Sequence, residues 1–156
     1  MPAPLSVAEG LRRLRAMPPG ERRVLVEAAA ALPLIAFALR IVSFRRIVDA
    51  LGVRNAPAEA AASHADARRV AAIVGTAARR GIHTGNCLSR SITLWWLLRR
   101  RGIACELRIG VRRDEGKFLA HAWVEQAGVP VNDSPAIGAL YAAFDAAALP
   151  AAARWT

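Results

Sequence analysis

Lysine is almost missing from this 156-residue chain: Lys117 is the only one, and arginine supplies the rest of the positive charge. Tyrosine occurs once, aromatic residues make up 6% of the chain, and there are two cysteines and three histidines. Each scarcity excludes something. Two cysteines, Cys87 and Cys105, cannot build the disulfide framework of a small secreted domain, and no secretory signal precedes the first helix, so a reduced bacterial cytoplasm is expected. The few aromatics do not alternate with basic residues, and there is no helix-turn-helix or zinc-finger spacing. A net charge of +10 therefore does not predict nucleic-acid binding here. His64, His83 and His121 lack ligand spacing to cysteine or paired acids, so neither a metal nor another cofactor is expected. The uncharged run at 28–39 holds 12 residues, whereas a membrane-spanning helix needs about 20.

What is present suits one domain over 1–156 with a real core, since 54% of the residues are hydrophobic. The first 55 residues read as a helical subdomain. Ser6–Met17 is amphipathic and stops at Pro18-Pro19-Gly20. The apolar stretch Val24–Leu39 carries Glu27 and Pro33, and reads as a kinked helix pair packed inside the domain. Basic residues flank it on both sides, which leaves room for peripheral contact with a membrane surface. Phe44–Leu51 adds a short helix closed by Gly52. Asn55–Ala62, with proline and no apolar period, reads as a linker, and the core follows over 56–156.

That core opens on a helix, Asp66–Arg80, with Val70, Ile73, Val74 and Ala77 on one face. A loop, His83-Thr84-Gly85-Asn86, leads to a second helix from Cys87. There Leu88, Ser91, Ile92, Trp95 and Leu98 share a face, and Gly102 follows the arginine-rich last turn. The period then changes. Ala104–Val111 alternates as a half-buried strand, Arg112–Gly116 is a turn, and Phe118–Gln126 and Val129–Asn132 are strands joined at Ala127-Gly128. Ile137–Leu149 reads as a closing helix that packs Leu140, Tyr141 and Phe144. The fold class is α+β, a helical N-terminal part followed by an antiparallel sheet.

Three residues in this frame carry chemistry. Cys87 stands at a helix start, where unpaired N–H groups and the helix dipole favour a thiolate and can bind an oxyanion. His121 lies on a strand between two alanines that leave room for its ring. Asp133 follows across a short turn, where its carboxylate can hold one ring nitrogen and leave the other for the thiol. Thiol, imidazole and carboxylate together are the parts of a thiol acyl-transfer site. The backbone N–H of Cys87 is one candidate oxyanion donor; Asn86 and Trp123 are candidates for the second, with Asn86 and Ser134 alternatively helix caps. Cys105 reads as a buried apolar residue. Between Cys87 and Arg113 seven arginines face one acid, Glu106. Arg90, Arg108, Arg112 and Arg113 read either as a solvated face or as a docking surface for an acidic partner.

The block Cys87-Leu88-Ser89-Arg90-Ser91, the helix end at Leu97–Ile103, the strand Leu107–Arg112, and Phe118–Glu125 through Asp133 resemble the transglutaminase-like leader peptidases of lasso-peptide biosynthesis. The resemblance covers roughly Cys87 to Asp133 and implies a papain/transglutaminase-type core with a Cys-His-Asp triad at Cys87, His121 and Asp133. It also implies an activity, removal of the leader from a ribosomally made precursor peptide. The implied partners are a small PqqD-like leader-binding protein, for which this chain has no room, and an asparagine-synthetase-like cyclase. The same residues serve two other readings, an acyl transferase acting on an amine and a non-catalytic adaptor that presents the precursor to the cyclase.

Overall fold

The computed structural model of the chain describes residues 12, 14–52, 63–80 and 86–145. Residues 12 and 14–16 are helical; the rest of the helix expected over Ser6–Met17 lies outside the described residues. Helix α1, Pro19–Ile41, starts on a proline whose missing N–H costs nothing in a first turn. Glu21 in its first turn and Arg40 in its last suit the helix dipole. Val24, Ala28, Ala31, Leu32 and Ile35 form its buried face.

The expected kinked pair is instead one helix that runs through Pro33, and only one side of it is packed. Leu34, Phe37 and Ile41 are 68%, 63% and 69% exposed. An all-round apolar sequence hides which face is inside, and Pro33 sits on the solvent side. By length and composition α1 could cross a membrane, yet its inner face belongs to the same core cluster as the later helices and the sheet.

Helix α2, Phe44–Gly52, buries Phe44 and Ile47. Helix α3, His64–Arg80, begins two residues before the expected Asp66 because Ser63 caps it. The Ser63 Oγ accepts the Asp66 N–H at 3.2 Å, and its hydroxyl donates to Asp66 Oδ2 at 2.7 Å. The expected linker Asn55–Ala62 and the loop residues His83, Thr84 and Gly85 lie outside the described residues. Helix α4, Cys87–Arg99, buries most of its length. Its C-terminal turn closes through the Ile103 N–H on the Leu98 carbonyl, with Gly102 left-handed at φ 73°.

The sheet has the order β3-β2-β1-β4, all pairs antiparallel. It comprises β1 (Glu106–Asp114), β2 (Lys117–Gln126), β3 (Val129–Pro130) and β4 (Ala142–Asp145). The first strand runs to Asp114 instead of ending at Val111, because Glu115 and Gly116 both take positive φ and turn the chain in two residues. Ala127 and Gly128 turn it again in the same way. Only Val129 and Pro130 remain laddered before the chain leaves the edge, so β3 is shorter than the expected Val129–Asn132.

The closing helix expected over Ile137–Leu149 is also corrected. Ile137–Leu140 makes a single helical turn, α5, Leu140 is 53% exposed, and the chain then extends as β4 along β1. Its alanines speak for helix by propensity, but the open edge of β1 offers a row of unpaired backbone groups that a strand satisfies. Residues 146–149 lie outside the described residues. Leu107, Ile109, Ala122 and Val124 turn one face of the sheet to the helices. Gly110, His121 and Trp123 lie on the other face.

Candidate active site

Cys87 is the first residue of α4, and its free thiol is half-buried. Asn86 is the N-cap: its Oδ1 accepts the Ser89 N–H at 2.9 Å, which leaves its amide nitrogen directed away from the cap. One helical turn further on the same face, Ser91 Oγ donates to the carbonyl of Ala122 at 2.8 Å. Asn132 locks this contact from the third side. Its Nδ2 donates to Ser91 Oγ at 3.2 Å, and its Oδ1 accepts the Val124 N–H at 2.8 Å. The start of α4, the middle of β2 and the segment 131–133 are thereby joined around the backbone next to His121.

There His121 meets Asp133. His121 Nε2 lies 2.7 Å from Asp133 Oδ2, with both side chains about a quarter exposed, 23% and 24%. The second carboxylate oxygen accepts the Ser134 N–H at 2.8 Å, so Asp133 is held at both ends. A neutral imidazole donating from Nε2 to this carboxylate keeps its Nδ1 lone pair for a proton from elsewhere. The ring is flanked by Tyr141, at 5.4 Å between centroids, and by Trp123, at 6.2 Å and nearly parallel. Opposite His121 in the β1–β2 register stands Gly110. A Cβ there would come within 2.7 Å of Tyr141 Cβ and 2.8 Å of Trp123 Cη2, so this position needs the absence of a side chain for the rings to fit.

Several expected roles change on the structure. Trp123 is not free to be an oxyanion donor: it has no solvent exposure, and its Nε1–H donates to Glu125 Oε1 at 2.7 Å. It is a wall for the histidine. Asn86 is a helix cap, whereas Ser134 accepts the Ala136 N–H at 3.3 Å in the turn ahead of α5, whose N-cap is Ala136. Arg90, Arg108, Arg112 and Arg113 do not make one surface. Arg108 and Arg112 point to one face of β1 and Arg113 to the other, while Arg90 is on α4. Arg108 is paired with Glu106 and Glu125, and Arg112 with Asp114. Alternation along the strand divides what looks contiguous in sequence. Cys105 lies just before β1, 8% exposed, and burial pushes its thiol up to about 12, with Arg99 opposing and Glu106 adding to the rise. It is a protonated, inert thiol at working pH.

Ser91, Asn132, Gly110 and Tyr141 escaped the reading of the sequence. Ser91 counted there as one more position on an apolar face; a buried hydroxyl in such a face needs a partner, and that need was the available signal. Asn132 adjoins Asp133 and is legible only once its partners are known. Among the described residues no three His, Cys, Asp or Glu side chains converge as a metal ion would require.

The family comparison agrees with this architecture. The transglutaminase-like superfamily matches residues 31–145, from within α1 to the end of β4. The chain belongs to that superfamily, a family context consistent with a cysteine peptidase or an acyl transferase. No curated protein and no solved structure matches it.

Proposed function

We propose that the chain is a cysteine peptidase that removes the leader from a ribosomally made lasso-peptide precursor, acting with a leader-binding protein and a cyclase. One observation carries the catalytic part: the 2.7 Å contact between His121 Nε2 and Asp133 Oδ2, on a strand fastened through Ser91 to the helix that Cys87 opens. The specific substrate rests on the resemblance of Cys87–Asp133 to leader peptidases.

In this reading His121 Nδ1 takes the thiol proton, and the Cys87 thiolate attacks the carbonyl carbon of the scissile peptide bond. The tetrahedral oxyanion is met by the Cys87 N–H, with the amide nitrogen of Asn86 as the second donor. The imidazolium returns its proton to the leaving amine as the C–N bond breaks, which frees the core peptide and leaves a leader thioester. Water, deprotonated by His121, then attacks the thioester, releases the leader carboxylate and restores the thiol. Asp133 keeps the ring oriented and stabilises the imidazolium throughout.

The test is mass spectrometry of a lasso-peptide precursor incubated with the chain, a PqqD-like leader-binding protein and an asparagine-synthetase-like cyclase. A leader with a free carboxylate, lost with Cys87→Ala, is the expected product. A leader joined to an added amine would mean transfer instead, and processing that survives Cys87→Ala would mean an adaptor.

A further inference from the structure

Between α3, α4 and the segment 131–133 lies a cleft of about 530 Å³, inside the range of roughly 300–1,000 Å³ common for ligand sites. Arg68 and Arg79 of α3 and Arg90 of α4 line it, together with Thr76, Asn132 and Asp133. The three guanidiniums come from separate stretches of sequence and converge only in the fold. Among the described residues none of the three is paired with a carboxylate; the one side-chain bond is from Arg79 to Thr76 Oγ1, at 3.3 Å. Their neighbours differ. Arg69, next to Arg68, pairs with Glu21, and the strand arginines 108 and 112 each have an acid. Among the described residues the single carboxylate lining the cleft, Asp133, is turned to His121 and the Ser134 N–H. Like charges gathered round a concave, partly apolar space raise the local potential and draw in an anion.

We propose that this cleft is a substrate subsite that takes acidic side chains, Glu or Asp, of the peptide being cut. The inference rests on the peptidase reading above, because the wall formed by Asp133 is shared with the histidine. In this proposal a peptide held at Cys87 and His121 continues past Asp133 into the cleft that the arginines line. Nucleotides fit less well: no aromatic side chain among the described residues lines the cleft, so a base has nothing there to stack on. The anion-binding surface is thus formed by the helices, not by the strand arginines that share a stretch of sequence with Arg90.

Binding is measured with the Cys87→Ala protein, so that no turnover intervenes. The probes are a fluorescein-labelled glutamate-rich decapeptide, its glutamine counterpart, and a labelled oligothymidylate, followed by anisotropy. The glutamate peptide should bind about tenfold more tightly than the glutamine one. Arg68→Gln with Arg90→Gln should weaken it roughly five- to tenfold, the scale of two partly exposed arginine–carboxylate contacts. Arg100→Gln, at the far end of α4, should leave it unchanged. Equal affinity for the two peptides, an equal loss with Arg100→Gln, or tighter Arg68- and Arg90-dependent binding of the oligothymidylate would each overturn the proposal. Arginine-dependent binding without cleavage by the unmutated protein would keep the cleft and reject the peptidase.

Discussion

Replacing Gly110 by alanine tests the link between packing and chemistry most directly. The added Cβ would lie 2.7 Å from Tyr141 Cβ and 2.8 and 2.9 Å from Trp123 Cη2 and Cζ3, whereas carbon atoms rest at about 3.5–4.0 Å. Each neighbour must therefore retreat by close to 1 Å. Neither does so easily. Trp123 is fully buried and anchored through Glu125, and the Cβ of Tyr141 moves only with the backbone that enters β4. Overpacking of this kind costs about 1–3 kcal/mol, which in a domain of this size lowers Tm by roughly 3–10 °C. Because both rings flank His121, cleavage should fall further than stability does. A displacement of about 1 Å in a catalytic group can cost on the order of 100-fold. The assay pairs thermal unfolding by circular dichroism with kcat/KM for precursor cleavage at a temperature where both proteins are folded. Adding Trp123→Phe, which takes Cη2 and Cζ3 out of the way, should recover part of the loss. An alanine variant that melts and cleaves like the unmutated chain would refute the argument that Gly110 holds space for these rings.

Three further outcomes follow from the same geometry. Asp133→Asn should lower kcat/KM by about 100-fold or more with only a small change in Tm, since the residue is partly exposed; equal activity would remove Asp133 from the mechanism. A thiol-reactive dye at neutral pH should label Cys87 in the folded protein and Cys105 only after unfolding, because burial holds the Cys105 thiol up to about 12; peptide mapping that finds Cys105 labelled first would contradict this. Burial alone would raise the Glu27 carboxyl, but hydrogen bonds from Arg101 and Arg23 and the charges of Arg101 and Arg100 outweigh it and hold it below the ordinary 4.5. Its contribution to stability is therefore present above 4.5 and lost as pH falls through the lowered value, so Glu27→Gln should cost about 1–2 kcal/mol near neutral pH and flatten the acid limb of the stability–pH curve.

The parts of the fold that were legible in sequence are those where local pattern and tertiary demand agree. In α3 the buried positions recur every three or four residues, and at the start of β1 Leu107 and Ile109 alternate with less buried neighbours, so these assignments need no knowledge of the partner, whereas α4 is buried on nearly every side and β2 buries Ala122, Trp123 and Val124 in succession. The pattern failed where it has no contrast. In α1 the uncharged run 28–39 is apolar on every face, so neither the single continuous helix nor the exposed side with Leu34 and Phe37 could be read from it. In 137–145 an alanine-rich segment joins the open edge of β1, a partner invisible to local propensity. The candidate site divides in the same way. Cys87, His121 and Asp133 announce themselves by chemical type and by motif. Gly110, Ser91 and Asn132 act through shape and hydrogen bonds to residues far away in sequence, and carry no such mark. The arginine cleft belongs to this second class, because Arg68 and Arg90 are neighbours only after α3 has packed on α4.

Ser91 and Asn132 also explain how three separate backbone segments keep one register. A helix start, a strand and a segment leaving a sheet edge are each free to slide by a fraction of an ångström unless something polar registers them, because apolar contact has no direction. Ser91 Oγ is donor to Ala122 and acceptor from Asn132, and Asn132 passes the register on to the Val124 N–H. Ser91 is 1% exposed, so leaving any member of this chain without a partner carries the full desolvation cost of a buried polar group, about 1–3 kcal/mol. That penalty makes the arrangement all-or-none. A slip of α4 along β2 must first break bonds that water cannot replace, so the alignment of α4, β2 and the 131–133 segment is secured by the same energy that holds the core together.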